Sequence, residues 1–225
     1  MNLQKHRQKL IRQAKRDVKE SVNADDFIIQ VVNTLEGLDV QINNLVTRLR
    51  EWYGLGNPEA LRRFDGEELA MQVLGEADFF EEKDLNPLKV FATSVHSLIQ
   101  SRDVMRSYLK STMKSHCRNL SYVLGEKLAG KLLRQAGSLK KLAMMPAGTI
   151  QILGAEDALF RHLKTGAKPP KHGYILAHPI VGKAKDKGKA ARKLSAKISH
   201  CARLDYFDGD FKAEEYMKEL EELDV

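Results

Sequence analysis

Between Gly154 and Val181 the chain concentrates the side chains that can hold a polyanion. Arg161, Lys164, Lys168 and Lys171 stand beside His162, His172 and His178, with three Gly, three Pro and only two acids in 28 residues. Lys and Arg neutralise phosphates and release their counterions. Neutral imidazole can stack on an unpaired base or hydrogen-bond to it, which favours RNA bulges and ends over duplex DNA. Gly166 and Gly173 let backbone come close to a phosphate. The basic run KAKDKGKAARK follows directly. On a helix beginning near Gly188, Lys189, Arg192, Lys193 and Lys197 fall on one broad face. Each feature also has a plainer reading: a Gly/Pro-rich connection between core helices, and a solvated helix face. Their adjacency favours a binding site.

Other chemistries find little purchase. His162, His172, His178, His200 and Cys201 do not follow a zinc spacing, and no metal or other cofactor is expected. Phosphate-loop, GxSxG and HExxH signatures are absent, so the chain does not read as an enzyme. Glu156 and Asp157 point about 100° apart on a helix. They read as a helix start whose acids complement the dipole, and whose amides could meet a phosphate. Cys117 and Cys201 lie far apart, which reads as reduced thiols and a cytoplasmic location. No run of 18 apolar residues could span a membrane, and MNLQKHRQKLIRQAKRDVKE lacks the apolar stretch of a signal peptide.

Charge is localised along the chain, as a polyanion site requires. Residues 1–20 hold seven bases and two acids, 21–145 hold 16 of each, 146–205 hold 12 and four, and 206–225 hold two and eight. The elements that must position these groups are helical. From Ile28 an apolar heptad runs through Leu35, Ile42 and Leu49, with Val31, Leu38, Leu45 and Trp52 as its second position. Gly54, Gly56, Asn57 and Pro58 end it. After Asn86-Pro87 a second register places Leu88, Val95 and Leu109 in one position, interrupted by Arg102, and Phe91, Leu98 and Met105 in the other. The two form either an antiparallel hairpin within the chain or a self-association seam. LRRF, EELAMQVL and ADFF in the connection read as short helices. Downstream, Asn119 or Ser121 can cap a helix whose buried stripe is Leu124, Leu128, Leu132 and Leu133. Gly137-Ser138 stops that helix, Pro146 marks a boundary, and Thr149–Leu153 is extended or helical. Ala155–Leu163 is helical, Thr165–Gly173 is an ordered turn because Pro169-Pro170 cannot continue a helix, and Gly188–Leu204 buries Ala191, Leu194, Ile198 and Ala202. The expected fold is all-α: a coiled-coil arm over 1–118 with a helical tip (54–87), a compact basic domain over 119–208, and an acidic, fraying tail over 209–225.

The text NLSYVLGEKLAGKLLRQAGSLKKLAMMPAGTIQILGAEDALFRHLKTGAKPPKHGYILAHPI, followed by GKAARKLSAKISHCARLDYF, resembles the Nop-domain family. That family comprises the archaeal box C/D small ribonucleoprotein scaffold, its nucleolar relatives and a spliceosomal precursor-mRNA processing factor; the archaeal version is the most similar. The resemblance is strong over 119–207 and weaker over 27–118, where LVTRLREWYG matches the first coiled-coil helix. It implies an arm that self-dimerises and a domain that binds guide RNA together with a kink-turn-binding ribosomal-protein homologue. The family's GAEKALF signature falls on Gly154, Ala155, Glu156, Asp157, Ala158, Leu159 and Phe160, and its KHG turn on Lys171, His172 and Gly173. The base-stacking histidine falls on His178, and the basic helix on Lys189, Arg192 and Lys197. Asp157 replaces the family's Lys, and the aromatic pair that archaeal members carry after the Val181 position is missing. The family's N-terminal domain, which docks the fibrillarin methyltransferase, has no counterpart before the coiled coil, so that partnership is not carried over.

The expected function is a non-enzymatic scaffold for kink-turn RNA in box C/D-type RNA 2′-O-methylation and rRNA processing. Two other readings stay open. A coiled-coil protein-interaction module, its basic patch meeting acidic protein, would keep its partners through nuclease treatment. A nonspecific nucleic-acid binder would take duplex DNA as readily as a kink-turn.

Overall fold

A computed structural model describes residues 3–64, 66–75 and 80–221, and among them every regular element is a helix. In chain order these are α1 (Leu3–Ser21), α2 (Ala24–Tyr53), α3 (Ala60–Arg63), α4 (Gly66–Gly75), α5 (Glu82–His116), α6 (Arg118–Ala136) and α7 (Leu139–Met144). They continue with α8 (Ala147–Ile152), α9 (Glu156–Thr165), a 3-10 turn (Tyr174–Ala177), α10 (Pro179–Gly182), α11 (Lys187–Tyr206) and α12 (Ala213–Glu221). No helix among the described residues is long and apolar enough to cross a membrane. Ala77, Asp78 and Phe79 of the expected ADFF helix, and the tail beyond Glu221, lie outside the described residues.

The chain forms two compact units, 33–108 and 1–32 with 109–225. The division therefore falls inside the two long helices rather than at residue 118. Unit 33–108 is a helical hairpin: Arg106 pairs with Asp39 at 3.0 Å and Trp52 meets Phe91 at 6.3 Å, so α2 and α5 run antiparallel. The long heptads are thus the intramolecular core of one chain. Their packing is offset from the expected seam. Ile42 and Leu49 are buried as read, but the second buried row is Val46 and Tyr53 on α2 and Ala92 and Ile99 on α5. Leu38, Leu45, Phe91 and Leu98 are only partly buried. The shift of one residue has a cause in α4, whose Leu69, Ala70 and Val73 join the core and widen the apolar stripe beyond a two-helix seam. Arg102 does not break the pairing. It is 6% exposed and its guanidinium grips Glu67, with Asp103 at 3.2 Å. Pro87 sits inside α5, which begins upstream of it at Glu82.

In the second unit, the beginning of α2 and the end of α5 pack with the downstream helices. Asn23 and Asp26 exchange hydrogen bonds at 3.0 and 3.3 Å as a reciprocal cap on α2. Asp25 accepts the Leu139 amide at 2.9 Å and pairs with His116 at 2.7 Å, joining α2, α5 and α7. Gly130 on α6 makes the close approach possible, since a Cβ there would lie 2.8 Å from Val32. Asp205 of α11 accepts the amides of Asn119 and Leu120, both at 2.9 Å, and so caps α6 from a distant element. Neither Asn119 nor Ser121 performs that capping; Asn119 is buried and donates its own side chain to Asp205 at 2.9 Å. The core of α6 and α11 is as expected, with Leu132, Leu133, Ala191, Leu194, Ile198 and Ala202 buried. The acidic helix α12 is docked: Ala213 and Leu220 are buried, and its Glu219 pairs with Lys197.

Candidate nucleic-acid interface

The turn after α9 is built by backbone closure. Gln151 donates its side chain to the Lys171 carbonyl at 2.7 Å and accepts the Gly173 amide on its own carbonyl at 2.9 Å. Gly173 is required because a Cβ would fall 2.0 Å from the Leu153 carbonyl oxygen. Its role is close packing inside the domain, not approach to a phosphate. Gly154 has φ +87° and faces the Tyr174 ring, 2.5 Å from where a Cβ would be. Pro169 and Pro170 line one cleft with Gly188 and Lys189 at the start of α11.

This closure brings together four cations that the sequence places in two separate runs. Lys168 and Lys171 from the turn, and Lys189 and Arg192 from α11, line one open cleft of about 600 Å³ with Gln151 and Asp186. Asp186 caps α11 by accepting the Gly188 and Lys189 amides at 3.0 and 3.1 Å. Those bonds, the Lys189 amide first, hold its carboxyl below the usual carboxylate range, with Lys171 and Lys189 adding to the effect. The cleft therefore offers an anion its lysine and arginine heads, while the helix amides are already taken.

The start of α9 is held to the preceding turn by Glu156. Glu156 accepts the Gly154 amide at 2.8 Å and the Gln135 side chain at 3.1 Å. With Asp157 beside it in the first turn, the acids complement the dipole, as read from the sequence. Glu156 thus ties the start of α9 to Gly154 and Gln135, and Ala155 is the residue before the helix. Arg161 and Lys164 project from α9, a helix with no buried residue. Phe160 and Leu163 on the same helix are 57% and 68% exposed. His162 is turned inward to the Ala167 carbonyl.

Two expected site residues are committed elsewhere. His178 is 6% exposed; its Nε2 meets the Val123 carbonyl at 2.9 Å and its Nδ1 accepts the Ile180 amide at 3.3 Å. Burial lowers its affinity for a proton, the Val123 bond working in the opposite sense, so the ring is a neutral strut. Neither of its ring nitrogens is free for a base. His172 is half-buried in the turn, next to the cleft residue Lys171. Lys197 pairs with Glu219 and lies 4.4 Å from the Tyr216 ring centroid, so its charge is spent on α12. Lys193 is on α11 but outside the cleft lining. Cys117 and Cys201 are free and buried, and burial pushes the Cys201 thiol up to about 12. No three His, Cys, Asp or Glu among the described residues are grouped to hold a metal ion.

The sequence reading missed Asp205 and Asp25, because each acts on an element far along the chain. The Asn23/Asp26 cap was legible as a spacing of three between capping residues.

Residues 67–223 match the family profile described as "Nop: snoRNA binding domain, fibrillarin". An uncharacterised NOP5 family protein of Methanocaldococcus jannaschii is 35% identical, over 87% of this chain and 55% of its own length. Nucleolar protein 58 of Candida albicans is 36% identical over 82% of this chain and 42% of its own. Nucleolar protein 56 of Caenorhabditis elegans is 35% identical over 81% and 46%. The chain spans about half the length of these curated relatives. A crystal structure of a fibrillarin/Nop5p complex contains a similar chain, with TM-score 0.62 and 26% identity, covering 94% of this chain and 74% of that one.

Proposed function

The chain belongs to the Nop family, and from that premise we propose that it is a non-enzymatic RNA-binding scaffold of a box C/D-type ribonucleoprotein, engaged in RNA 2′-O-methylation and rRNA processing. The observation that carries this reading is the convergence of Lys168, Lys171, Lys189 and Arg192 on one cleft within the matched region. Four cations with no acid but a helix cap between them suit a bent phosphate backbone. His172, beside the cleft lysine Lys171, takes the stacking role that His178 cannot. The exposed Phe160 and Leu163 of α9, flanked by Arg161 and Lys164, give an apolar patch for a protein already seated on the RNA. That protein is a kink-turn-binding ribosomal-protein homologue, and the surface is composite, so neither partner alone binds tightly. The two buried free cysteines fit a reducing compartment, and we place the protein in the cytoplasm. The Candida and Caenorhabditis relatives are named nucleolar. Fibrillarin accompanies the similar crystal chain; the cleft and α9 argue for RNA and its primary binder only.

The test is a gel-shift titration of kink-turn RNA with and without the kink-turn-binding protein. A supershift that needs that protein, and that Lys168→Glu with Arg192→Glu abolishes while the helical circular-dichroism signal persists, is the expected result. Normal assembly of the double variant at physiological salt, or equal shifts on random RNA, would sink the reading.

A further inference from the structure

The first helix lies outside the matched residues 67–223 and takes no part in the cleft. Every described side chain of α1 is exposed, Leu3 at 81%, Leu10 at 57% and Val18 at 65% among them. At 100° per residue, Leu3, Leu10, Ala14 and Val18 fall on one arc. Lys5, Lys9, Arg12, Lys15, Arg16 and Lys19 occupy the opposite one, about 120° wide and free of acids. None of these six makes an ion pair among the described residues, and Asp17, held by Gln13 at 2.8 Å, stands at the margin of the apolar arc. Like charges at three- and four-residue spacing repel each other. A helix of this length that buries nothing is marginal by itself. Both costs are relieved by a polyanion laid along the arc.

We propose that this cationic arc is a second RNA-contact site that grips the phosphate backbone of structured RNA, a proposal resting on the RNA-binding reading above. The six cations form a column about 21 Å long at 1.5 Å rise per residue, matched to a repeating line of phosphates rather than to a single anion. A bilayer fits less well: Arg7 projects from the middle of the apolar arc and α1 contains no aromatic residue. The contact is independent of sequence, since phosphates position a protein without specifying bases.

The experiment compares the full chain with a variant carrying Lys5→Gln, Lys9→Gln, Arg12→Gln, Lys15→Gln, Arg16→Gln and Lys19→Gln. Gln keeps helix propensity, and circular dichroism checks that the fold is intact. Fluorescence anisotropy with a labelled, bulged RNA hairpin is measured across a salt series. The log–log slope should become shallower by about four, at about 0.7 per phosphate for six cations. Affinity at low salt should fall at least roughly tenfold. Replacing the four lysines by arginine should leave the slope as it is in the natural chain. An unchanged slope in the glutamine variant would overturn the proposal. So would an unchanged slope with lost binding to phosphatidylserine vesicles, which would assign the arc to a membrane, or with lost binding to polyglutamate, which would assign it to acidic protein. The Lys168→Glu, Arg192→Glu variant measured alongside separates the two failures. If it still loses ternary assembly, only the α1 site falls; if it assembles normally, the RNA reading falls with it.

Discussion

The unit formed by 33–108 carries eight bases and 13 acids, whereas 1–32 with 109–225 carries 29 and 17. The two also use charge differently. In the first unit cations serve the fold: Arg102 holds Glu67 across α5 and α4, Arg106 holds Asp39, and Arg50 donates to the carbonyls of Leu61 and Phe64 at 2.8 and 3.0 Å. In the second, Lys168, Lys171, Lys189 and Arg192 face an open cleft, and the buried polar work is done by acids, Asp25 and Asp205. A net-acidic hairpin repels phosphate and a net-basic unit attracts it, so RNA should be confined to one of the two. The even balance counted over 21–145 concealed this, because that segment straddles both units.

The comparison can be broken most forcefully at Asp205. Asp205→Ala orphans the Asn119 and Leu120 amides at the start of α6 and leaves the Asn119 side chain only Asp210 and Lys212, and should cost about 3 kcal/mol in denaturant unfolding. A loss under about 1 kcal/mol would mean that acids do not organise this unit. Next comes Glu67→Ala, which leaves Arg102 buried with only Asp103; about 2 kcal/mol is expected, reduced from the fully buried case because Glu67 is half-exposed. RNA binding should not change, and a change would contradict the confinement of RNA to the other unit. A finer cut separates the two histidines. His178→Ala should destabilise by about 1–2 kcal/mol through the unpaired Val123 carbonyl and Ile180 amide. His172→Ala should leave stability alone and weaken ternary assembly roughly fivefold or more, the worth of one base stack. Equal effects of both on RNA affinity would dissolve the distinction between strut and contact.

The smallest effect concerns pH. His116 is raised above 6.5, chiefly by its hydrogen bond to Asp25, with the more distant Asp205 charge adding and burial opposing. A raised folded value means that its contribution is complete below the unfolded value of 6.5 and is lost as pH climbs through the folded one. Stability measured across that interval should therefore decline modestly in the natural chain and stay flat in His116→Gln. A rise with pH would show that Asp25 serves only the Leu139 amide.

Much of this molecule is legible in one dimension. Apolar periodicity alone marks α2, α5, α6 and α11, and Gly137, Pro146 and Pro169-Pro170 mark their interruptions, because these depend on residues within a turn or two of each other. The run of cations around Lys168–Lys171 and Lys189–Arg192 is equally local. What periodicity could not decide is which row of a long helix faces inward, since that depends on α4 as a third packing partner. Nor could it separate His172 from His178, of which only the second is buried and bonded to the Val123 carbonyl and the Ile180 amide. The pairing of Lys197 with Glu219, and the capping of α6 by Asp205, join residues brought together by the folding of α6, α11 and α12. Sequence determined that this chain is helical and basic in particular places. Tertiary structure decided which charges remain available, because a side chain's freedom is set by neighbours that lie far from it along the chain.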